Sequence, residues 1–404
     1  MIKRPLYSKS IINLAFHHNK MAFVSGPRQV GKTTMADQMM EEYRRKNYYT
    51  WDDVTFRRQW IKDPKVFIPE LVDEKILTVF DELHKAPRWK VNLKGLYDQR
   101  KNSSHILVTG SAKLDIFRRG GESLLGRYFL FRMHPLTIGE LLTTSINSPN
   151  DLSNALKKKK HTTNQILDRL LHHGGFPEPY LKSDDTFTNL WRRTRVERLV
   201  KEDLIDLSRA YDVALIESLV ALLPERVGSL FSYQSLSEDL EVAHGTIKRW
   251  MRLLSQLFYV YEIKPYQKSI TRSLKKQPKM YLWDWSEITD QGARFENLVA
   301  GHLLKAIHYW TDTGQGTFDL YFIRDKDKNE VDFLITQNRK PWMLIECKQK
   351  DATPSLQLKK FAEILMPEIT LQVVEVSDVH EWFPLGSKER GQIISASAFL
   401  SILP

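Results

Sequence analysis

At 404 residues the chain is too long for one compact core, and about two to four domains are expected. Its 42% hydrophobic and 27% charged residues are ordinary globular values, while 60 Lys+Arg against 49 Asp+Glu give a net charge of +11 that suits a polyanion such as nucleic acid. The single cysteine, Cys347, excludes an intrachain disulfide framework and any multi-cysteine zinc site; with neither a secretory-signal pattern nor an apolar run near the roughly 20 residues of a membrane span, a cytoplasmic protein is expected.

The first 140 residues alternate short apolar runs with helical patterns, the signature of a parallel sheet with crossover helices. Residues 21–24, 75–82 and 104–111 read as buried strands. Between the first strand and a helical pattern lies GPRQVGKT, residues 26–33, which fits the phosphate-binding loop G-x-x-x-x-G-K-[ST] in its proper strand–loop–helix context. Gly26, Pro27, Arg28, Gln29, Val30 and Gly31 would curl the backbone so that its N–H groups face phosphate oxygens, with Thr34 in the first helical turn beyond. Lys32 would reach the β- and γ-phosphates, and the Thr33 hydroxyl would ligate Mg²⁺. The strand ILTVFDE supplies the acids: Asp81 for Mg²⁺, and Glu82 to orient and deprotonate an attacking water. At the end of the third strand, Thr109 or Ser111 is placed to contact the γ-phosphate or the water, and a plain strand exit is an equal alternative for each.

The segments GPRQVGKTT, VFDELHK, LVTGSA, SLLGRY with HPLTIGELL, and HHGGFPEPYL resemble a prokaryotic AAA+ ATPase of the group holding archaeal ATPases and their signalling, STAND-like relatives. The resemblance covers about the first 220 residues and implies ATP as the nucleotide and a homo-oligomer. It also implies that Arg127 acts as a finger on the transferring phosphoryl group, with Arg118 and Arg119 as competitors, and that Pro177 touches the nucleotide base. Residues 1–145 are then the ATPase core and 146–222 a helical lid.

Residues 223–285 carry a helix–turn–helix pattern followed by two strands, a winged helix. Ser235 with Glu238 reads as a capping box, and Ile247, Trp250, Met251, Leu254, Leu257 and Phe258 recur at helical spacing as a buried face. Lys248, Arg249 and Arg252 fall on the opposite face, while Lys275, Lys276 and Lys279 follow in the basic turn and second strand. Residues 226–280 hold ten Lys/Arg against four Asp/Glu, so DNA contact is expected here, a protein–protein spacer being the alternative.

Residues 286–404 read helix, three strands, helix, strand. With Glu296, Asp332, Glu346 and Lys348 placed as they are, this order resembles the PD-(D/E)xK, restriction-endonuclease-like α/β fold. Glu346 and Lys348 are two apart on a strand and share a face that Asp332 can meet from the neighbouring strand. Glu296, Asp332 and Glu346 would bind Mg²⁺ or Mn²⁺, and Lys348 would position a water or balance phosphate charge. The expected function is an ATP-hydrolysing, DNA-associated motor or switch with a metal-dependent nuclease-like domain. The alternatives are an ATP-controlled DNA-binding regulator with a non-cleaving C-terminal domain, and a signalling ATPase acting on protein partners.

Overall fold

The computed structural model describes residues 2–67, 74–100, 104–110, 124–144, 146–158, 164–204, 213–267, 276–350, 353–386 and 389–404. It divides into two compact units, Met1–His134 and Pro135–Pro404.

The first unit is built on five parallel strands: β1 (Met21–Ser25), β2 (Arg45–Thr50), β3 (Ile76–Asp81), β4 (Ser104–Gly110) and β5 (Tyr128–Arg132). Their order is β2-β3-β4-β1-β5. β1 and β3 are buried along their whole length, which is why each reads as a largely apolar run rather than an alternation. Helices α1 (Lys32–Met40), α2 (Val54–Lys62) and α3 (Trp89–Gln99) follow β1, β2 and β3. Asp53 caps α2, its carboxylate accepting from the Thr55 amide at 2.7 Å. Phe56 and Trp60 of α2 pack with Tyr49, Phe67 and Phe80 in an aromatic cluster on one face of the sheet. Register then builds the site: Thr109 of β4 pairs with Val24 of β1 and with Asp81 of β3. The loop after β1, the acid closing β3 and the hydroxyl of β4 therefore meet at the carboxyl end of the sheet, where open α/β folds bind ligands.

In the second unit, helices Leu152–Leu156, Gln165–His173, Pro177–Lys182, Asp185–Arg198 and Val213–Leu222 occupy the stretch that the sequence marks as helical. Helix Tyr233–Asp239 and α4 (His244–Gln256) lead into β6 (Val260–Pro265) and β7 (Lys279–Leu282). The first of these helices is capped by Ser232, which accepts from the Ser235 amide at 3.2 Å, and not by Ser235 as the local pattern suggested. Next come α5 (Gln291–Asp312), β8 (Phe318–Arg324), β9 (Glu330–Gln337), β10 (Lys340–Lys348), α6 (Leu356–Leu365), β11 (Ile369–Val374), β12 (His380–Leu385) and β13 (Glu389–Ser395). The eight strands form one mixed sheet, β12-β13-β11-β10-β9-β8-β6-β7. β6 is antiparallel to β7 and pairs in parallel with β8 through Lys264 and Pro265, so the strands expected as a wing continue the C-terminal sheet.

Leu358, Phe361 and Ala362 of α6 pack on Val331, Leu334, Leu344 and Val374. The 22-residue α5 starts at Asp290, whose side chain accepts from the Ala293 amide, and it buries polar groups as well as apolar ones. Its Lys305 donates to Glu140 and Thr137, each at 2.7 Å. Its His302 accepts from the Ile138 amide through Nε2 at 3.2 Å and donates from Nδ1 to the Leu298 carbonyl at 2.8 Å, which fixes a neutral ring. Among the described residues, no helix is long and apolar enough to cross a membrane.

Candidate functional site

The phosphate loop is held in a conformation that its glycines make accessible. A Cβ on Gly26 would stand 2.3 Å from the Met133 carbonyl oxygen, so no other residue fits without a shift of backbone. Gly31 has φ 98° at the N-cap of α1, and Gln29 has φ 62° on the loop's exposed turn. Val30 is buried, and its carbonyl accepts from Arg4 at 3.0 Å; the second arm of the same guanidinium reaches the His134 carbonyl at 2.7 Å. This clamp from an N-terminal arginine has no local sequence signature.

Lys32 is buried at the start of α1 and donates to the carbonyls of Gly26 at 2.8 Å and Pro27 at 2.7 Å. Burial lowers its pKa, against the raising pull of Glu82 and Asp81, while the nearby Arg28 lowers it further. Asp81 accepts from Thr33 at 3.0 Å, from Tyr48 at 2.8 Å and from Thr109. Burial first, then the Asp81 charge, raise the Tyr48 phenol well above its usual value, so it stays a donor. Tyr48 comes from β2, and only the β2–β3 pairing reveals it as part of the site.

Glu82 follows Asp81 with φ 55°, its amide donating to the Thr109 carbonyl at 3.0 Å. This left-handed residue turns the carboxylate out of the strand direction, 3.5 Å from His84 Nε2 and 3.7 Å from Lys85 Nζ. Burial raises the carboxyl's pKa, and Lys32 and Lys85 partly counter it. A carboxylate with a raised pKa, beside a hydroxyl–carboxylate pair and a phosphate loop, has the makings of a general base. Thr33 and Asp81 offer hard oxygen donors 3.0 Å apart and fit Mg²⁺. Thr34 is half-buried in the first turn of α1.

Arg127 forms a two-pronged pair with Asp98 of α3, at 2.8 Å from Nε and 3.2 Å from Nη2, and that guanidinium holds the Asp98 carboxyl below its usual range. Pro177 occupies the first turn of helix Pro177–Lys182 in the second unit. Ser111, Arg118 and Arg119 lie outside the described residues.

In the second unit, Lys248, Arg249 and Arg252 are exposed on α4, opposite the buried Ile247, Trp250, Met251 and Leu254. Lys276 is exposed, and Lys275 lies outside the described residues. Lys279 requires a correction. The sequence places it on a basic wing, but it is 2% exposed and cannot reach a DNA backbone. β7 is buried at every position, and its first residue points into an acid cluster. Lys279 Nζ lies 2.6 Å from Glu330, 3.3 Å from Glu296 and 3.7 Å from Asp332. Burial alone would lower its pKa, but the charges of Glu296, Asp332 and Glu330 outweigh it and leave the ammonium firmly protonated.

The same cluster gathers the four residues the sequence singled out. Glu296 accepts from the Tyr281 hydroxyl at 2.7 Å, Asp332 accepts from the Cys347 amide at 2.8 Å, and Lys348 pairs with Glu346 at 2.9 Å. Burial, then the charge of Asp332, push both Glu296 and Glu346 up to about 7. Glu330, bound by Arg324 at 2.6 Å as well as by Lys279, is a further member that the sequence reading missed.

Residues 18–142 match the family described as AAA domain. Residues 164–287 and 291–385 match two domains of unknown function, DUF8612 and DUF4143. An uncharacterized protein of Mycobacterium tuberculosis is 24% identical over 327 residues, covering 76% of this chain and 68% of that protein. One from Methanocaldococcus jannaschii is 26% identical over 290 residues, 65% of this chain and 60% of the relative. Among solved structures, a Walker-type ATPase of Pyrococcus abyssi aligns with TM-score 0.43 at 13% identity, over 70% of this chain and 94% of that one.

Proposed function

We propose that the first unit binds and hydrolyses ATP, and that its nucleotide state governs how the second unit engages DNA. The observation that carries the ATP reading is the convergence of Thr33, Asp81 and Glu82 beside a phosphate loop already curled around Lys32. In this reading the loop amides and Lys32 hold the β- and γ-phosphates, and Glu82 orients the attacking water and takes its proton. Thr33 and Asp81 would hold Mg²⁺, which would supply charge neutralisation to the phosphates. Tyr48 and Thr109 keep the Asp81 carboxylate aimed at that position. Arg127 would serve as a finger across a homo-oligomer interface once released from Asp98.

DNA contact rests on the exposed basic face of α4 with Lys276. Replacing Lys248, Arg249 and Arg252 together by Ala should weaken binding to all duplex sequences alike. It should also lower the slope of log affinity against log salt by about 2–3, near 0.9 for each phosphate no longer neutralised. An unchanged slope moves the DNA contact elsewhere, and no DNA affinity at low salt favours the rival in which the ATPase acts on protein partners.

A metal-dependent deoxyribonuclease is the second reading, favoured by the meeting of Glu296, Asp332, Glu346 and Lys348. The donor set as arranged does not fit a divalent ion, because the Lys279 ammonium already lies against Glu296 and Asp332. A doubly charged ion would have to share those carboxylates with a buried positive charge a few ångströms away. We therefore assign the second unit a gripping role without cleavage.

A further inference from the structure

We infer that Lys279 is the resident cation of the C-terminal acid cluster, standing where a divalent ion would sit between Glu296, Glu330 and Asp332, so that replacing it with a neutral side chain creates a divalent-cation site. The inference is independent of the nucleotide assignment and gives the non-cleaving reading of the second unit its physical basis.

Three features support it. The first is position. β7 pairs with β6 at the end of the sheet, Lys279 opposite Ile263, yet the lysine side chain is buried rather than directed to water. Its ammonium touches carboxylates from α5 and from β9, and it sits 5.7 Å from the centre of the Phe322 ring. The second is charge. Four carboxylates, Glu296, Glu330, Asp332 and Glu346, face three cations, Lys279, Arg324 and Lys348. With every group ionised the cluster carries one negative charge in excess, and loss of Lys279 makes it two, the excess one divalent ion neutralises.

The third feature is the remaining coordination capacity. Glu330 is divided between Lys279 and Arg324, Asp332 spends one oxygen on the Cys347 amide, and Glu346 spends one on Lys348. Among the described residues, the second oxygen of Glu346 is buried with no hydrogen-bond partner. With the ammonium gone, that oxygen, Glu330 Oε1 and Asp332 Oδ1 are left to a hard cation, which takes carboxylate oxygens, and Glu296 Oε1, still accepting from the Tyr281 hydroxyl, has a lone pair to add. With the ammonium present, a divalent ion meets like charge at short range in a site screened from water.

The test is the melting temperature of the nucleotide-stripped full chain, with and without millimolar Mn²⁺ or Mg²⁺. The Lys279→Met protein should melt below the unsubstituted chain without metal and rise by several degrees when metal is added, since the ion binds only the native state. That rise should vanish in the Lys279→Met, Asp332→Asn double variant, which separates it from any ion held by Thr33 and Asp81. Lys279→Arg should show no such rise. The unsubstituted chain and its Asp332→Asn variant should respond to metal equally. A metal-dependent rise in the unsubstituted chain that Asp332→Asn removes overturns the inference, as does a folded Lys279→Met protein with no response. Should Lys279→Met fail to fold, the comparison of the unsubstituted chain with Asp332→Asn decides alone, read also by the Mn²⁺ resonance signal that disappears on binding.

Discussion

Lys32 poses an energetic puzzle that Lys32→Met resolves. Its ammonium is buried, and removing such an ion from water costs several kcal/mol, roughly. Against this stand two hydrogen bonds to the Gly26 and Pro27 carbonyls, worth about 1.5–3 kcal/mol each for a charged donor, and the more distant pull of Glu82 and Asp81. The lowered pKa says that burial, helped by Arg28, outweighs the pull of Glu82 and Asp81. Met removes the charge but leaves two carbonyls without their donor, at about 1–3 kcal/mol for each that stays dry. The nucleotide-free first unit should therefore change by no more than about 2 kcal/mol in either direction. A buried lysine that stabilised the fold would show a loss of about 3–5 kcal/mol. The sign of the pH dependence is sharper. A lysine whose folded pKa lies below its unfolded value binds fewer protons when folded. Its cost is fully present below the lowered folded pKa and is relieved as pH rises from there toward the unfolded 10.5. The unsubstituted protein should thus gain stability relative to Lys32→Met between neutral and strongly alkaline pH. ATP affinity should fall by about 100-fold or more, the loss of a charged partner to phosphate. Urea unfolding at several pH values gives the first quantity, the first unit's transition being the one that added ATP shifts in the unsubstituted chain. Calorimetric titration gives the second. A stability loss above about 3 kcal/mol would show that the Lys32 ammonium stabilises the fold, and parallel pH profiles that its pKa is not lowered.

Two further outcomes concern α5. Lys305→Met takes the ammonium away from the buried Glu140 carboxylate and should destabilise the second unit by about 3–5 kcal/mol, while adding Glu140→Leu should restore most of it; chemical denaturation of the three proteins checks both. Burial pushes His302 down to about 3 from 6.5, so the unfolded chain binds the extra proton. Stability from this group is whole above 6.5 and drains as pH falls toward 3, about 2 kcal/mol by pH 5, and thermal unfolding of His302→Gln across that range should lack this component.

The candidate nucleotide site is legible in the sequence because its information is local. β1 and β3 are largely apolar buried runs, the loop between β1 and α1 has a fixed glycine spacing, and Asp81 closes β3 with Glu82 directly after it. What it could not show arrives from elsewhere in the chain: Tyr48 through the β2–β3 pairing, Arg4 through a contact 26 residues away, Asp98 through the packing of α3. Lys279 is the instructive miss. A lysine heading a strand after a basic turn looks solvated, and only the placement of α5 and β9 opposite it shows otherwise. The hint available was that Met280, Tyr281 and Leu282 follow it without a polar residue, which is how a strand buried on both faces reads. Ser232 and Ser235 both precede a helical run, and propensity alone does not choose between them.

We propose Glu82 as the base of an ATP-hydrolysing site. It is tested most directly by measuring ATP binding and single-turnover hydrolysis for the unsubstituted chain and for Glu82→Gln, which keeps the shape and the left-handed backbone position but cannot take a proton. Binding should be unchanged and hydrolysis slower by roughly 10²–10⁴-fold in Glu82→Gln. Equal hydrolysis in the two proteins, or none in the unsubstituted chain, would contradict it.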